Sequence, residues 1–349
     1  MGAITQSELE RRIKGGDISG AYYLYGTDFY DIQITEKSLV EKTVSKDDRD
    51  FNLHSFEGKD IDISALCDAC ECLPVFAEKL CVTVCDLDLE TEKLPDKAVK
   101  QLTETIKNLP ETTVLVFYTA NADVCKGKKT PSAKNKKLID AVSKSGTVCI
   151  FPTKTKSDAI REISRLCSKE GCTVDSAAAD MLFERCCGDF LMIAGEVQKL
   201  CAYCAGKNIT TETVNLLTPE TPDAKGYELA DAAAAGNISL SMKLLSELTA
   251  MRSDPVYLLY VVTGSMIDIY RARLALDSKH SVGDVMNDFG YAKNLEFRVK
   301  NAFKAAGRTS AVRLRRCMEI LTETDMRFKT GGGIPSVLLE EAIVKMART

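Results

Sequence analysis

The chain reads as an α/β domain followed by all-helical domains, and three observations predict that architecture. Five apolar runs of strand length recur through the first 152 residues, with helical patterns between them. Beyond Pro152 the strand signal stops. From there on, glycines and prolines punctuate a series of amphipathic helices.

The strand runs are YYLYG (22–26), FNLHSF (51–56), KLCVTVC (79–85), TVLVFYT (113–119) and TVCIFP (147–152). They are nearly continuous in apolar residues, as a parallel sheet buried on both faces requires. The clearest helix between them carries Ala98, Leu102, Ile106 and Leu109 at helical spacing. This gives a five-stranded parallel α/β domain over residues 1–152. A small helical domain follows over 153–218, with Gly171, Gly188 and Gly206 placed as helix C-terminal glycines. Thr218-Pro219-Glu220-Thr221-Pro222 reads as a linker, because its prolines cannot continue a helix. A helical domain then occupies 219–349. Its long helix runs from about Asp254, with Pro255 in the first turn, to about Ser278. Another, from Ser310 to about Thr330, puts Leu314, Cys317, Leu321, Asp325 and Phe328 on one stripe. Gly331-Gly332-Gly333 ends it, and Pro335 begins the last helix.

A chain of 349 residues with 45% hydrophobic and 28% charged content is that of a folded, multi-domain protein. A net charge of −4 argues against a protein dedicated to coating nucleic acid. The start MGAITQSELERRIKGG has no apolar signal core, and Gln6 does not suit myristoylation at Gly2. The most apolar run, Tyr257 to Tyr270, is short for a bilayer and contains Asp268. A cytoplasmic protein without membrane contact is expected.

Fourteen cysteines include two CxxC pairs, Cys67/Cys70 and Cys201/Cys204, and the doublet Cys186-Cys187. Both CxxC pairs fall in helical stretches rather than on the knuckle turns of a zinc site, so they read as small core residues in a reducing compartment. His54 and His280 are the two histidines, and neither has a nearby Cys or Ser to form a catalytic pair.

The turn after the first strand is the place where an α/β domain binds a nucleotide. A phosphate loop there needs glycines, a Lys for charge and a Ser or Thr for magnesium. This chain has Gly26-Thr27-Asp28 instead. Asp28 suits a helix N-terminus but repels phosphate. Two basic stretches are candidates for contact with DNA phosphates. One is Lys126, Lys128, Lys129, Lys134, Lys136 and Lys137. The other, Tyr291 to Arg316, holds eight Lys or Arg against Glu296 and includes Arg313 and Arg316. Each reads more readily as a solvated face, and neither carries the interleaved aromatics that stack bases.

The order and spacing of several segments resemble the delta-subunit family of the bacterial DNA polymerase III clamp loader. The segments are YYLYGTDFYDIQ (22–33), NLHSFEGKDIDISALCDACECLPVFAEKLCVTV (52–84) and LPETTVLVFYT (109–119). GDFLMIAGEVQKLCAYCAG (188–206), with the NIT and ETV that follow, DPVYLLYVVTGSMIDIYRARLAL (254–276) and DMRFKTGG (325–332) complete the match, which spans essentially the whole chain.

The resemblance implies an AAA+-like fold without ATPase activity, with a lid-like second domain and a collar-forming third. It implies a non-catalytic subunit of a DNA-directed DNA polymerase holoenzyme, a nucleotidyltransferase assembly, with neither ATP nor zinc bound to this chain. The implied partners are the β sliding clamp, the gamma/tau ATPase and delta-prime subunits, and primed DNA. The family contacts its clamp through an apolar pair between a helix and the third strand. Here that place reads Cys72-Leu73-Pro74-Val75-Phe76-Ala77-Glu78-Lys79. The resemblance therefore assigns clamp binding to Leu73, Pro74, Val75 and Phe76. Pro74 should turn the chain and push the pair outward; the residues alone favour Val75 and Phe76 covering the sheet, and the resemblance reverses that preference. Val75 is smaller than the usual Leu or Phe, which forgoes about 0.8 kcal/mol of burial.

A loader ATPase is disfavoured by the missing phosphate-loop Lys. A delta-prime subunit is disfavoured because Ser164-Arg165-Leu166-Cys167 lies mid-helix instead of in a finger motif. A small-ligand α/β enzyme lacks GxGxxG, paired carboxylates and a Cys–His pair.

Overall fold

The structure is a computed structural model that describes residues 4–92, 94–120, 124–125, 131–291 and 295–349. The chain divides into two compact units, residues 1–153 and 154–349.

The first unit runs α1 (Gln6–Gly15), β1 (Gly20–Gly26), α2 (Phe29–Thr43), α3 (Arg49–Asn52), β2 (Leu53–Glu57), α4 (Ile63–Glu71), β3 (Leu80–Cys85), α5 (Asp96–Lys107), β4 (Thr113–Tyr118), α6 (Ala133–Ser145) and β5 (Thr147–Phe151). The five strands are those the apolar runs predict. They pair in parallel in the order β2-β3-β4-β1-β5.

Side chains alternate across this sheet and feed two cores. Tyr23, Tyr25, Val82, Val84, Leu115 and Phe117 pack with α4, α5 and α6 on one face. Tyr22, Leu24, Cys81, Val114, Val116 and Phe151 pack with α1 and α2 on the other. Burial on both faces is why the central strands β1, β3 and β4 read as nearly unbroken apolar runs rather than as alternating ones, while the edge strand β2 is only partly buried. One boundary differs from expectation: Phe51 and Asn52 belong to the short helix α3, and β2 begins at Leu53.

The second unit runs α7 (Lys156–Lys169), β6 (Thr173–Val174), α8 (Ser176–Arg185), α9 (Phe190–Cys204), β7 (Asn208–Ile209), α10 (Thr211–Leu217), α11 (Pro222–Ala234), α12 (Ile238–Ala250), α13 (Pro255–Asp277), α14 (Val282–Asp288), α15 (Glu296–Ala306), α16 (Ala311–Lys329) and α17 (Pro335–Arg348). The strand signal does not stop at Pro152. β6 and β7 pair in parallel, but at two residues each they are too short for periodicity to reveal.

Gly171, Gly188 and Gly206 take left-handed φ values of +73°, +73° and +83°, as helix-ending glycines do. Asp254 caps α13 through the Val256 N–H, and Pro255 occupies its first turn. On α16, Thr324 rather than Asp325 continues the buried stripe of Leu314, Cys317 and Leu321, while Asp325 pairs with Lys329 at the surface.

The boundary expected near residue 218 falls inside this unit. Thr218 is buried, its hydroxyl donates to Glu196 at 2.7 Å, and its carbonyl accepts from Arg185. The connection is therefore anchored at Thr218, although Pro219 itself is exposed. Thr221 caps α11 and Pro222 is its first residue.

Candidate partner-binding corner

The segment between α4 and β3 forms an exposed corner on an anchored base. Asp62 caps α4 by accepting from the N–H groups of Ser64 and Ala65 at 2.8 and 3.3 Å. The helix stops at Cys72, whose φ and ψ of −62° and 149° are extended, consistent with a proline two residues later. Its last turn is tied to the sheet, since the buried Thr113 hydroxyl donates to the Cys70 carbonyl at 3.0 Å. At the far end Leu80 enters the core, and the Lys79 ammonium donates to the Ile18 carbonyl.

Between these anchors Leu73 is 78% exposed, Val75 41% and Phe76 98%, with Pro74 half-buried. The alternative in which Val75 and Phe76 cover the sheet does not hold. Phe76 also adopts φ +55°, a left-handed conformation that costs a residue with a Cβ about 1–2 kcal/mol. An aromatic ring held in solvent by a strained backbone is a feature that packing within the chain does not account for.

The middle of the corner is held from a distance in sequence. Asn52, fully buried at the end of α3, accepts from the Val75 N–H at 2.7 Å and donates to the Val75 carbonyl at 2.8 Å. Its second amide hydrogen goes to the Asp48 carbonyl at 3.1 Å. Sequence reasoning missed Asn52 because it lay inside an expected strand. The signal available was a buried-type position filled by a side chain that can pair with a backbone.

The turn after β1 is closed. The N–H groups of Thr27 and Asp28 both donate to the Phe151 carbonyl, at 2.9 and 3.2 Å. A phosphate would need those donors free. Gly26 is glycine because of the neighbouring strand: at φ +147°, a Cβ there would lie 2.0 Å from the Phe151 oxygen. Asp28 caps α2 by accepting from the Asp31 N–H at 3.1 Å, and Asp31 accepts from Gln6 at 2.9 Å. The helix N-terminus that would face a phosphate is occupied by two carboxylates.

The basic candidates separate. Lys128 and Lys129 lie outside the described residues. Arg313 is not available to a phosphate, which corrects its assignment. Its guanidinium donates to the carbonyls of Ala233, Ala234, Met346 and Ala347 at 3.2, 2.8, 3.0 and 3.4 Å, and so caps the ends of α11 and α17. Arg316, on the same helix, is exposed.

All fourteen cysteines are free thiols, and eleven of them are buried. Cys67 and Cys70 sit within α4 and Cys201 and Cys204 within α9. Burial pushes the Cys70 thiol up to about 12 and raises Cys67 and Cys201 as well, the reverse of what a thiolate ligand or nucleophile needs. Among the described residues no group of three or more His, Cys, Asp or Glu side chains has the arrangement to hold a metal ion. None of the described helices is long and apolar enough to cross a membrane.

Two family models match this chain. "DNA polymerase III, delta subunit" covers residues 22–150, and "DNA polymerase III delta subunit, C-terminal domain" covers residues 223–346. The chain belongs to the DNA polymerase III delta subunit family. The first match contains the corner and the closed turn, and the second contains all of α12 to α16. The chain is 25% identical over 350 residues to DNA polymerase III subunit delta of Bacillus subtilis (strain 168), covering 98% of this chain and 96% of that protein. The solved structure of the Bacillus subtilis DNA clamp loader delta protein superposes with a TM-score of 0.69 at 21% identity, covering 99% of this chain and 100% of that one. That likeness supports the fold: a parallel five-stranded sheet followed by helices.

Proposed function

We propose that this chain, as the delta subunit of a clamp loader, binds the β sliding clamp through Leu73, Val75 and Phe76 and holds it open for loading onto primed DNA. Pro74 fixes the turn between them. The observation that carries this reading is Phe76, 98% exposed at φ +55° on a base pinned at three places. Such a ring is suited to fill an apolar pocket as an interface anchor, with Leu73 and Val75 around it. The action is mechanical. The corner must bind the open or strained clamp better than the closed one, because equal affinity for the two states shifts nothing.

The chain performs no catalysis of its own in this reading and carries neither nucleotide nor zinc. ATP is bound by the neighbouring gamma/tau subunits, and the helical region joins them and delta-prime in a collar. The closed turn supports this division, since its N–H groups are already used on Phe151.

Retention on immobilised sliding clamp tests the proposal. The wild-type chain is expected to bind and Phe76→Asp to lose binding with its circular dichroism unchanged. Wild-type retention of Phe76→Asp would remove the corner from the interface. Isothermal titration with ATP tests the second part, and heat of binding to the isolated chain would refute it.

A further inference from the structure

We infer that Asn52 is a positioning residue for the corner, whose buried amide holds the backbone of Val75 so that the exposed ring of Phe76 is presented in one orientation. The inference rests on the corner being the clamp contact and adds a residue that touches no partner.

Asn52 is fully buried, yet its three strongest hydrogen-bonding positions all go to backbone atoms: the Val75 N–H at 2.7 Å, the Val75 carbonyl at 2.8 Å and the Asp48 carbonyl at 3.1 Å. The pair to Val75 is the one a neighbouring strand would make, supplied here by a side chain to a segment that belongs to no strand. Val75 immediately precedes Phe76, whose left-handed φ of +55° needs surrounding structure to persist. Thr113 and Lys79 fix the two ends of the segment, so Asn52 is the contact that fixes its middle. A corner fixed before binding loses less conformational freedom when the clamp is engaged. Replacing the amide leaves the Val75 N–H and carbonyl without partners and frees the ring to sample other orientations.

Asn52→Asp provides a test that a merely structural role would not pass. The protonated acid can reproduce both bonds, its hydroxyl donating to the Val75 carbonyl while its other oxygen accepts from the N–H. The carboxylate loses the donor and opposes the carbonyl oxygen. Asp48 before α3, Arg49 and Asp50 on it, Glu36 of α2 (beside Arg49, its carboxyl raised by burial), and Glu78 and Lys79 after the corner are the charged groups around these segments, and all are present in both proteins. Clamp affinity is therefore read as the ratio of variant to wild type, from pH 8 to pH 5.

The expected ratio is a loss of about ten-fold or more at pH 8, from the unpaired groups, that narrows as the pH falls. Asn52→Ala should show the loss with no recovery. Folded variants that bind like wild type at pH 8, or a loss in Asn52→Asp that does not narrow with acid, would overturn the inference. Phe76→Ala, run alongside, separates the two ideas. If it binds normally, the corner reading itself fails; if it alone loses binding, only Asn52 is wrong. Amide exchange in the wild-type protein needs no variant. The Val75 N–H should be protected while the exposed Phe76 N–H exchanges fast, and equal exchange at the two would overturn the inference whatever the variants do.

Discussion

Phe76 offers a perturbation that should move stability and partner binding in opposite directions. The ring is 98% exposed, so removing it costs no packing within the chain. The backbone at φ +55° is another matter. Glycine relieves a strain of about 1–2 kcal/mol and gives back about 0.5–1 kcal/mol through its freer unfolded chain, so Phe76→Gly should be neutral or stabilising by up to about 1.5 kcal/mol. Alanine keeps the strain and should leave stability unchanged. Both remove the anchor. Burying a phenylalanine contributes about 1.5–3 kcal/mol and an interface hot spot 2 kcal/mol or more, so clamp affinity should fall by about 30- to 150-fold in each. Thermal unfolding by circular dichroism and surface-plasmon binding to the clamp read the two effects. A glycine variant that melts several degrees below wild type would mean that Phe76 is supported from within the chain. A glycine variant that binds the clamp with wild-type affinity would mean that the strain serves something else.

Three further outcomes follow from single contacts. Gly26→Ala places a Cβ 2.0 Å from the Phe151 oxygen at a φ of +147°, so it should destabilise the first unit by about 2 kcal/mol or more, read as a lowered melting temperature. Arg313→Ala should cost about 2–3 kcal/mol in thermal or urea unfolding because four helix-end carbonyls lose a charged donor, and Arg313→Lys should recover only part, while Arg316→Ala should cost almost nothing. Asp88 sets a pH dependence. Burial raises its carboxyl, but bonds from Thr91, Asn135 and the Glu90 N–H outweigh this and hold it at about 2, below the ordinary 3.8. A lowered carboxylate stabilises the fold above its unfolded value and loses that contribution as the pH falls toward its folded value. Asp88→Asn should therefore melt below wild type at neutral pH, with the gap closing between about pH 4 and pH 2. A gap that persists unchanged to pH 2 would show that the carboxylate's charge is not what matters there.

The parts of the fold governed by local pattern were legible. The central strands β1, β3 and β4 could be read because burial on both faces leaves little room for polar positions, whereas the edge strands β2 and β5 are only partly buried. The helices α13, α16 and α17 could be bounded because Pro255, Gly331 and Pro335 act on the backbone directly. What failed to show was long-range and small. β6 and β7 contribute two residues each, a length at which periodicity has no meaning. Asn52 reads as part of a strand until Val75, twenty-three positions later, is seen in its grasp. Arg313 carries the same charge as Arg316, and only the four carbonyls around it distinguish a helix cap from a surface cation. The corner itself was legible as a break, because Pro74 ends a helix. Its exposure was not, since nothing in Val-Phe says whether a pair covers a sheet or leaves it.

The topology constrains how nucleotide could govern the corner. All strands of the sheet are parallel, the closed turn leaves β1 at its C-terminal end, and the corner enters β3 at its N-terminal end. The two therefore sit at opposite ends of the parallel strands, about 20 Å apart along a strand of six residues. The N–H groups of Thr27 and Asp28 in the turn are committed to Phe151. The corner needs no rearrangement of the first unit to become available, because Phe76 is already in solvent with its base pinned. In the proposed reading, a signal from ATP has neither a receiver on this chain nor a site to build. In a loader assembled as proposed, what remains for nucleotide to change is access: neighbouring subunits cover the corner in one state and uncover it in another. Control by covering has a thermodynamic signature, since the intrinsic affinity of the corner stays constant while the fraction of assemblies that present it changes, and the apparent affinity scales with that fraction.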